Sequence, residues 1–222
     1  MAAAPTDPAR FPEAGEAFFI NGPSGVIECL ADQPEPDLAR PGCAVICHPH
    51  PQHGGTLRNK VVTIIERALR ELGLATVRFN FRGVGDSEGE FAEGIGEADD
   101  LRAVINWVKT VRPNEPLWLG GFSFGAYVSL AVAPEYDIAY LISVAPPAER
   151  YGIESLAVPG CPWLVVQGDE DEVVSAEAVK AWAESRVPAP TLVMMEGAGH
   201  FFHRRLMDLR GLLKNHIQAN LP

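Results

Sequence analysis

Six short apolar runs, at residues 43–47, 75–80, 117–120, 140–144, 163–167 and 192–195, alternate with segments at 60–71, 97–110, 124–132, 176–184 and 204–220 in which apolar residues return at helical spacing. Two periods interleaved this way exclude an all-helical or all-strand chain and specify parallel strands joined by crossover helices on both faces. Several runs, CAVIC at 43–47 among them, are apolar at consecutive positions, as strands buried on both faces must be. Upstream, the stretches 17–20 and 25–29 flank Asn21-Gly22-Pro23-Ser24, turn chemistry that predicts an antiparallel hairpin. The Pro- and Asp-rich residues 31–42 read as a loop. The expected fold is therefore α/β, with a mostly parallel central sheet, an N-terminal antiparallel hairpin and helices on both faces. Only residues 145–162 separate the fourth and fifth runs, an ordinary crossover length, so no lid domain is expected. At 222 residues the chain is long enough for one well-buried core. Residues 16–222 read as a single domain and 1–15 as a flexible N-terminus.

Charge narrows the partners. The formal net charge of -11 would repel a phosphate backbone, which argues against nucleic acid and anionic membrane. The first residues carry Asp7, Glu13 and Glu16 where an export signal needs a basic start and an unbroken apolar run. No run approaches the roughly 18 apolar residues of a membrane-crossing helix. The expectation is a soluble cytoplasmic protein, monomer or homodimer. The cysteines, Cys29, Cys43, Cys47 and Cys161, form no CxxC pair and read as reduced, structural thiols.

The segment LWLGGFSFGAYVSLAVA at 117–133 reads as strand, sharp turn and helix with Ser123 at the turn, and in that context G-x-S-x-G is a nucleophile elbow. A serine pushed out on a strained turn requires tiny residues two before and two after, here Gly121 and Gly125. The helix that follows points its N-terminal amides at the site, where they favour developing negative charge.

Serine alone is a weak nucleophile and needs a base, itself oriented by an acid. Both follow Ser123 in the chain order that the elbow requires. Asp169-Glu170-Asp171-Glu172 follows the run WLVVQG, and Glu196-Gly197-Ala198-Gly199-His200 follows LVMM. Asp171 is the expected acid, because Val173 and Val174 return the chain to the packed layer just after it, and Asp169 is the expected turn cap. His200, directly after a glycine-rich loop tip, is the expected base, with His203 as its neighbour. An oxyanion hole takes one amide from the residue after the nucleophile, Phe124, and one from an earlier loop. In His48-Pro49-His50-Pro51 the prolines carry no N–H, so of positions 49–51 only His50 can supply it. Phe122, Phe201, Phe202 and Pro146 border the expected site and suggest an apolar substrate-binding wall.

Rival readings are visible in the same residues. His48, His50 and His53 reproduce the H-x-H-x-x-H spacing of metallo-hydrolases, but Gln52 stands where that pattern carries an aspartate, and no metal is expected. The glycines of RGVGDSEG at 82–89 do not open directly onto a helix, as a dinucleotide site requires, and no cofactor is expected. A non-catalytic binding protein would have lost one of the three triad residues, and all three are present.

With those residues in view, the chain resembles the α/β-hydrolase superfamily over nearly its whole length after about residue 15. More narrowly, it resembles small lidless bacterial serine hydrolases related to dienelactone hydrolases and to peptidase families S15 and S33. The matching elements are CHPHPQHGGTLRNKVV, VRFNFRGVGDSEG, GFSFGAYVSL, VVQGDEDEVV and GAGHFFHRRL, in that order. Dienelactone hydrolase carries cysteine where this chain has Ser123. The resemblance implies the α/β-hydrolase fold, triad roles for Ser123, Asp171 and His200, and oxyanion roles for His50 and Phe124. The expected function is hydrolysis of a small-molecule carboxylic ester through an acyl-enzyme. Peptide or thioester hydrolysis is the alternative on the same fold.

Overall fold

The structure, a computed structural model, describes residues 7–13 and 15–221. Eight strands form one sheet: β1 (Glu16–Gly22), β2 (Gly25–Asp32), β3 (Cys43–Cys47), β4 (Ala75–Phe79), β5 (Leu117–Phe122), β6 (Ile138–Val144), β7 (Trp163–Gly168) and β8 (Thr191–Met195). Their order is β1-β2-β4-β3-β5-β6-β7-β8. The β1–β2 hairpin is antiparallel and meets β4 antiparallel, while β4, β3, β5, β6, β7 and β8 run parallel. Among the described residues five α-helices accompany the sheet: α1 (Lys60–Glu71), α2 (Ile95–Val111), α3 (Phe124–Val132) and α4 (Ala176–Glu184) cross over between strands, and α5 (Leu206–Ile217) follows the last one.

The consecutive apolar residues of each strand divide between two cores. Cys43, Val45 and Cys47 of β3 belong to a core with Leu101, Ile105, Val128 and Trp182 from α2, α3 and α4, while Ala44 and Ile46 belong to a second core with Val62, Ile65, Leu209 and Leu213 from α1 and α5. A strand covered on both sides has no polar face to spare, which is why alternation is absent from its sequence. At about 25 cal/mol per Å² of apolar surface removed from water, the two layers supply the fold's main driving force.

Helix starts are set locally. Asn59 Oδ1 accepts the N–H groups of Val61 and Val62 at the head of α1, and Ser175 Oγ accepts that of Ala178 in α4, each satisfying donors that the first turn leaves free. The Phe11 ring stacks on Trp107 and Pro8 O accepts the Trp107 Nε1–H, so residues near the start lie along α2. The flexible segment expected over 1–15 includes residues 1–6 and 14, which lie outside the described residues.

Strand β5 runs two residues past the apolar stretch, through Gly121 and Phe122. Pairing with β6 as far as Phe122↔Val144 carries it up to the turn itself. Between β6 and β7, residues 145–162 hold one three-residue 3₁₀ turn, Ile153–Ser155, and no lid. Among the described residues no helix is long and apolar enough to cross a membrane.

Strand order reverses direction at β3. The connection through α1 leads to β4 on one side, and the next through α2 returns to β5 on the other. Loops leaving the carboxyl ends of two such neighbours splay apart and leave a crevice. The loop after β3 carries His48 to Asn59, and the turn after β5 carries Ser123.

Candidate active site

Ser123 sits at φ 53° and ψ -118°, in the left-handed half of backbone space that a non-glycine residue enters only under constraint. The constraint is visible on both sides. A Cβ on Gly121 would stand 2.2 Å from the Gly125 carbonyl oxygen, and one on Gly125 would stand 2.4 Å from the Cys47 carbonyl oxygen. Both contacts are with backbone, which cannot yield as a flexible side chain does. Ser123 N–H donates to Val144 O at 2.8 Å, tying the turn to β6. Its side chain projects at the head of α3.

Across the crevice, His200 Nε2 lies 3.1 Å from Ser123 Oγ, and His200 Nδ1 lies 2.8 Å from Asp171 Oδ2. Burial raises the Asp171 carboxyl, but the hydrogen bonds from His200, Val174 and Val173 outweigh it and hold the group below the ordinary carboxylate range. An ionised carboxylate only accepts, so Nδ1 carries the proton and Nε2 presents its lone pair to the serine hydroxyl. Asp171 Oδ1 accepts the N–H groups of Val173 and Val174, each at 2.8 Å, and Oδ2 also accepts Gln167 Nε2–H at 2.9 Å. The histidine loop is pinned separately, by His200 N–H donating to Glu172 Oε2 at 3.0 Å. Asp169 takes the capping place expected for it and accepts the Gly197 N–H at 2.7 Å. Gln167 and Glu172 escaped sequence reasoning, because a glutamine at a strand end and one more acid in an acidic loop carry no pattern of their own.

The loop after β3 opposes the elbow. Phe124 begins α3, so its N–H has no acceptor within the helix, and neither it nor the His50 N–H is engaged in a hydrogen bond among the described residues. Both residues line the same cavity as Ser123. His48 holds the loop from within. Its fully buried ring accepts the Phe81 N–H at Nε2 over 3.0 Å and donates from Nδ1 to Pro49 O over 2.6 Å. With both nitrogens occupied, His48 cannot share a metal with His50 and His53, and no cluster of three or more metal-ligating side chains occurs among the described residues.

Burial pushes the His48 ring from the ordinary 6.5 down to about 4, against the opposing effect of its bond to the Pro49 carbonyl. Between those values the unfolded chain binds the extra proton and the folded chain does not, so stability falls as pH falls. From pH 7 to pH 5 this residue is expected to remove about 2 kcal/mol of stability. Urea unfolding of wild type and His48→Gln across that interval checks it, and equal slopes for the two proteins would refute it.

The RGVGDSEG stretch braces its neighbours. Arg82 holds Asp100 through two side-chain bonds of 2.8 and 3.0 Å. Asn80 Oδ1 accepts the Leu57 N–H and its Nδ2 donates to Glu28, so the β2 hairpin and the loop opposite Ser123 share one anchor. The thiols of Cys29, Cys43 and Cys47 are buried, and burial raises each of them, Cys43 to about 12, which keeps them protonated.

A cavity of about 300 Å³ joins these groups, walled by Pro49, His50, His53 and Asn59 on one side, Pro147, Arg150 and Tyr151 on another, and Val173, Val174 and Phe201 beyond His200. Of the expected apolar wall, Phe201 is 40% exposed and lines it, whereas Phe122 and Phe202 are both fully buried. Phe122 points down from the sheet into the core shared with α1 and α5, its ring 5.0 Å from that of His200, and so supports the base from behind. Pro146 and Pro147 are both buried, and of the two Pro147 lines the cavity. His203 is exposed and is not part of the wall. Arg150, Tyr151 and His53 went unread as wall residues, because the loop after β6 carries no motif and His53 was weighed only as a metal ligand.

A mostly parallel sheet whose carboxyl edge carries a serine at a strand-to-helix elbow, hydrogen-bonded through histidine to aspartate, is the architecture of an α/β hydrolase. Comparison with known proteins agrees: residues 48–219 match the alpha/beta hydrolase domain model, and the chain belongs to that family. A solved α/β serine hydrolase without lid from Xanthomonas campestris is 50% identical, with a TM-score of 0.93 over 96% of this chain and 98% of that one. An α/β serine hydrolase homologue from Coxiella burnetii is also 50% identical, with a TM-score of 0.89 over 92% and 98%. An uncharacterized protein of Rickettsia prowazekii is 32% identical over 91% of this chain and 90% of its own.

Proposed function

We propose that the protein is a serine hydrolase that cleaves small or medium carboxylic esters by way of an acyl-enzyme. The observation that carries this reading is the unbroken chain from Asp171 through His200 to a strained Ser123 on the wall of a cavity. His200 Nε2 takes the hydroxyl proton as Oγ bonds to the ester carbonyl carbon. The carbonyl oxygen becomes an oxyanion facing the amides of His50 and Phe124. Collapse breaks the bond to the alkoxy oxygen, which leaves as alcohol with the proton held by His200. Water then repeats the sequence, releasing the acid and restoring Ser123. Every proton is accounted for by His200, so the cycle requires no cofactor. The wider reading is of a cytoplasmic protein, monomer or homodimer, acting on a small molecule.

Labelling with a fluorophosphonate probe followed by peptide mapping tests the nucleophile, with the adduct expected on Ser123. p-Nitrophenyl esters of rising acyl length, set beside peptide amides and thioesters, test the substrate bond. An unlabelled Ser123 overturns the mechanism, and faster cleavage of amides or thioesters overturns the ester preference.

A further inference from the structure

The chain carries 29 Asp and Glu residues, yet none of the fifteen residues that line the cavity is acidic, while Arg150, His50 and His53 all stand there. Asp171 lies behind His200, its side chain buried. Eight arginines hold carboxylates elsewhere in the described structure. Arg150 makes no side-chain hydrogen bond or ion pair with any described residue, and it lines the cavity.

Its loop is held in place. Arg150 N–H donates to Pro147 O at 3.0 Å, and Tyr151 adopts φ 59°. The Tyr151 ring stacks on Tyr127 at 5.1 Å and meets Phe124, the residue after Ser123, edge-on at 5.4 Å. The backbone that carries Arg150 is thereby held at a fixed place relative to the elbow. Its neighbours sharpen the field: desolvation first, then the charges of His53 and Arg150, lower the proton affinity of His50. An anion in the cavity would offset that repulsion, and a planar guanidinium matches a carboxylate with two parallel hydrogen bonds.

We infer that Arg150, with His53 beside it, selects esters that carry a free carboxylate in addition to the scissile ester. This rests on the serine esterase reading above. The carboxylate belongs either to the acyl half or to the alcohol half, and paired substrates separate the two. Monomethyl glutarate against dimethyl glutarate places it on the acyl side. 4-Acetoxybenzoate against its methyl ester places it on the leaving group, where the neutral member is the intrinsically more reactive one.

The measurement is the ratio of kcat/KM within each pair, in wild type, Arg150→Gln and Arg150→Lys. In at least one pair the anionic member is expected to be preferred about tenfold by wild type, with Arg150→Gln erasing that preference and Arg150→Lys keeping part of it. Because each ratio is internal to one protein sample, a folding defect depresses both members and leaves it unmoved. Neutral members preferred in both pairs, ratios that Arg150→Gln leaves unchanged, or no turnover of any of the four esters overturns the inference. A protein that takes the fluorophosphonate label on Ser123 but shows no anionic preference keeps the serine mechanism and loses this inference. One that takes no label loses both.

Discussion

Ser123→Ala is expected to lower kcat/KM for p-nitrophenyl esters by about 10³-fold or more while the protein remains folded. The change removes one atom. That atom is the proposed nucleophile, and Ser123 Oγ stands 3.1 Å from His200 Nε2, the nitrogen that would take its proton. Alanine tolerates φ 53° no better and no worse than serine, since both carry a Cβ, so the backbone strain at the turn is unaltered. Among the described residues the hydroxyl makes one hydrogen bond, to His200, and losing it costs about 1 kcal/mol. What survives in the variant is whatever the His50 and Phe124 amides and the cavity contribute by binding alone. Parallel measurement of ester turnover, probe labelling and the thermal midpoint decides the matter. Turnover within tenfold of wild type in a folded, unlabelled variant would remove Ser123 from the mechanism.

Legibility in the sequence followed how local each determinant is. The boundaries of α1, α3, α4 and β3 coincide with the segments read from periodicity, because caps such as Asn59 and Ser175 and the burial of consecutive strand residues are written in adjacent positions. The elbow was legible for the same reason: its two glycines answer contacts with backbone at fixed places. Chain order pointed to the loops that carry Asp171 and His200, since each loop at the carboxyl edge follows one strand, and Val173 and Val174 then singled out Asp171 over Asp169. Facing direction was not legible. Phe122 and Phe201 are both aromatic neighbours of His200, yet one is buried beneath the ring and the other stands in the cavity, a difference fixed by strand pleat and loop geometry that apolarity does not record. Pro146 and Pro147 are both buried, yet Pro147 lines the cavity and Pro146 does not. The histidine triplet could be weighed in the sequence only through Gln52, because spacing says nothing about what else each ring touches, and His48 spends both nitrogens on Phe81 and Pro49. Arg150 is legible only once its lack of a partner is visible, and partners are a property of the folded chain.

Asp171→Asn is expected to lower kcat by about 10⁴-fold with far less effect on the fold, and the hydrogen bonds say why. Oδ1 accepts two backbone N–H groups, from Val173 and Val174. An amide NH₂ cannot accept, so the asparagine oxygen must keep that place and the NH₂ must turn toward His200. There it donates to Nδ1, which stabilises the tautomer with its proton on Nε2. A protonated Nε2 facing Ser123 can only donate, and the base is lost although no atom has moved far. Gln167 limits the structural damage: its Oε1 has no partner, so its amide can turn to accept from the new NH₂, giving up the bond to Gly168 O. Exchanging those bonds costs about 1–2 kcal/mol of stability, small beside the kinetic loss. Urea unfolding and steady-state kinetics on the same preparation separate the two effects. A loss of kcat below tenfold in a stable variant would mean that His200 does not depend on Asp171 for its tautomer, and the acid would have to be sought elsewhere on the loop after β7.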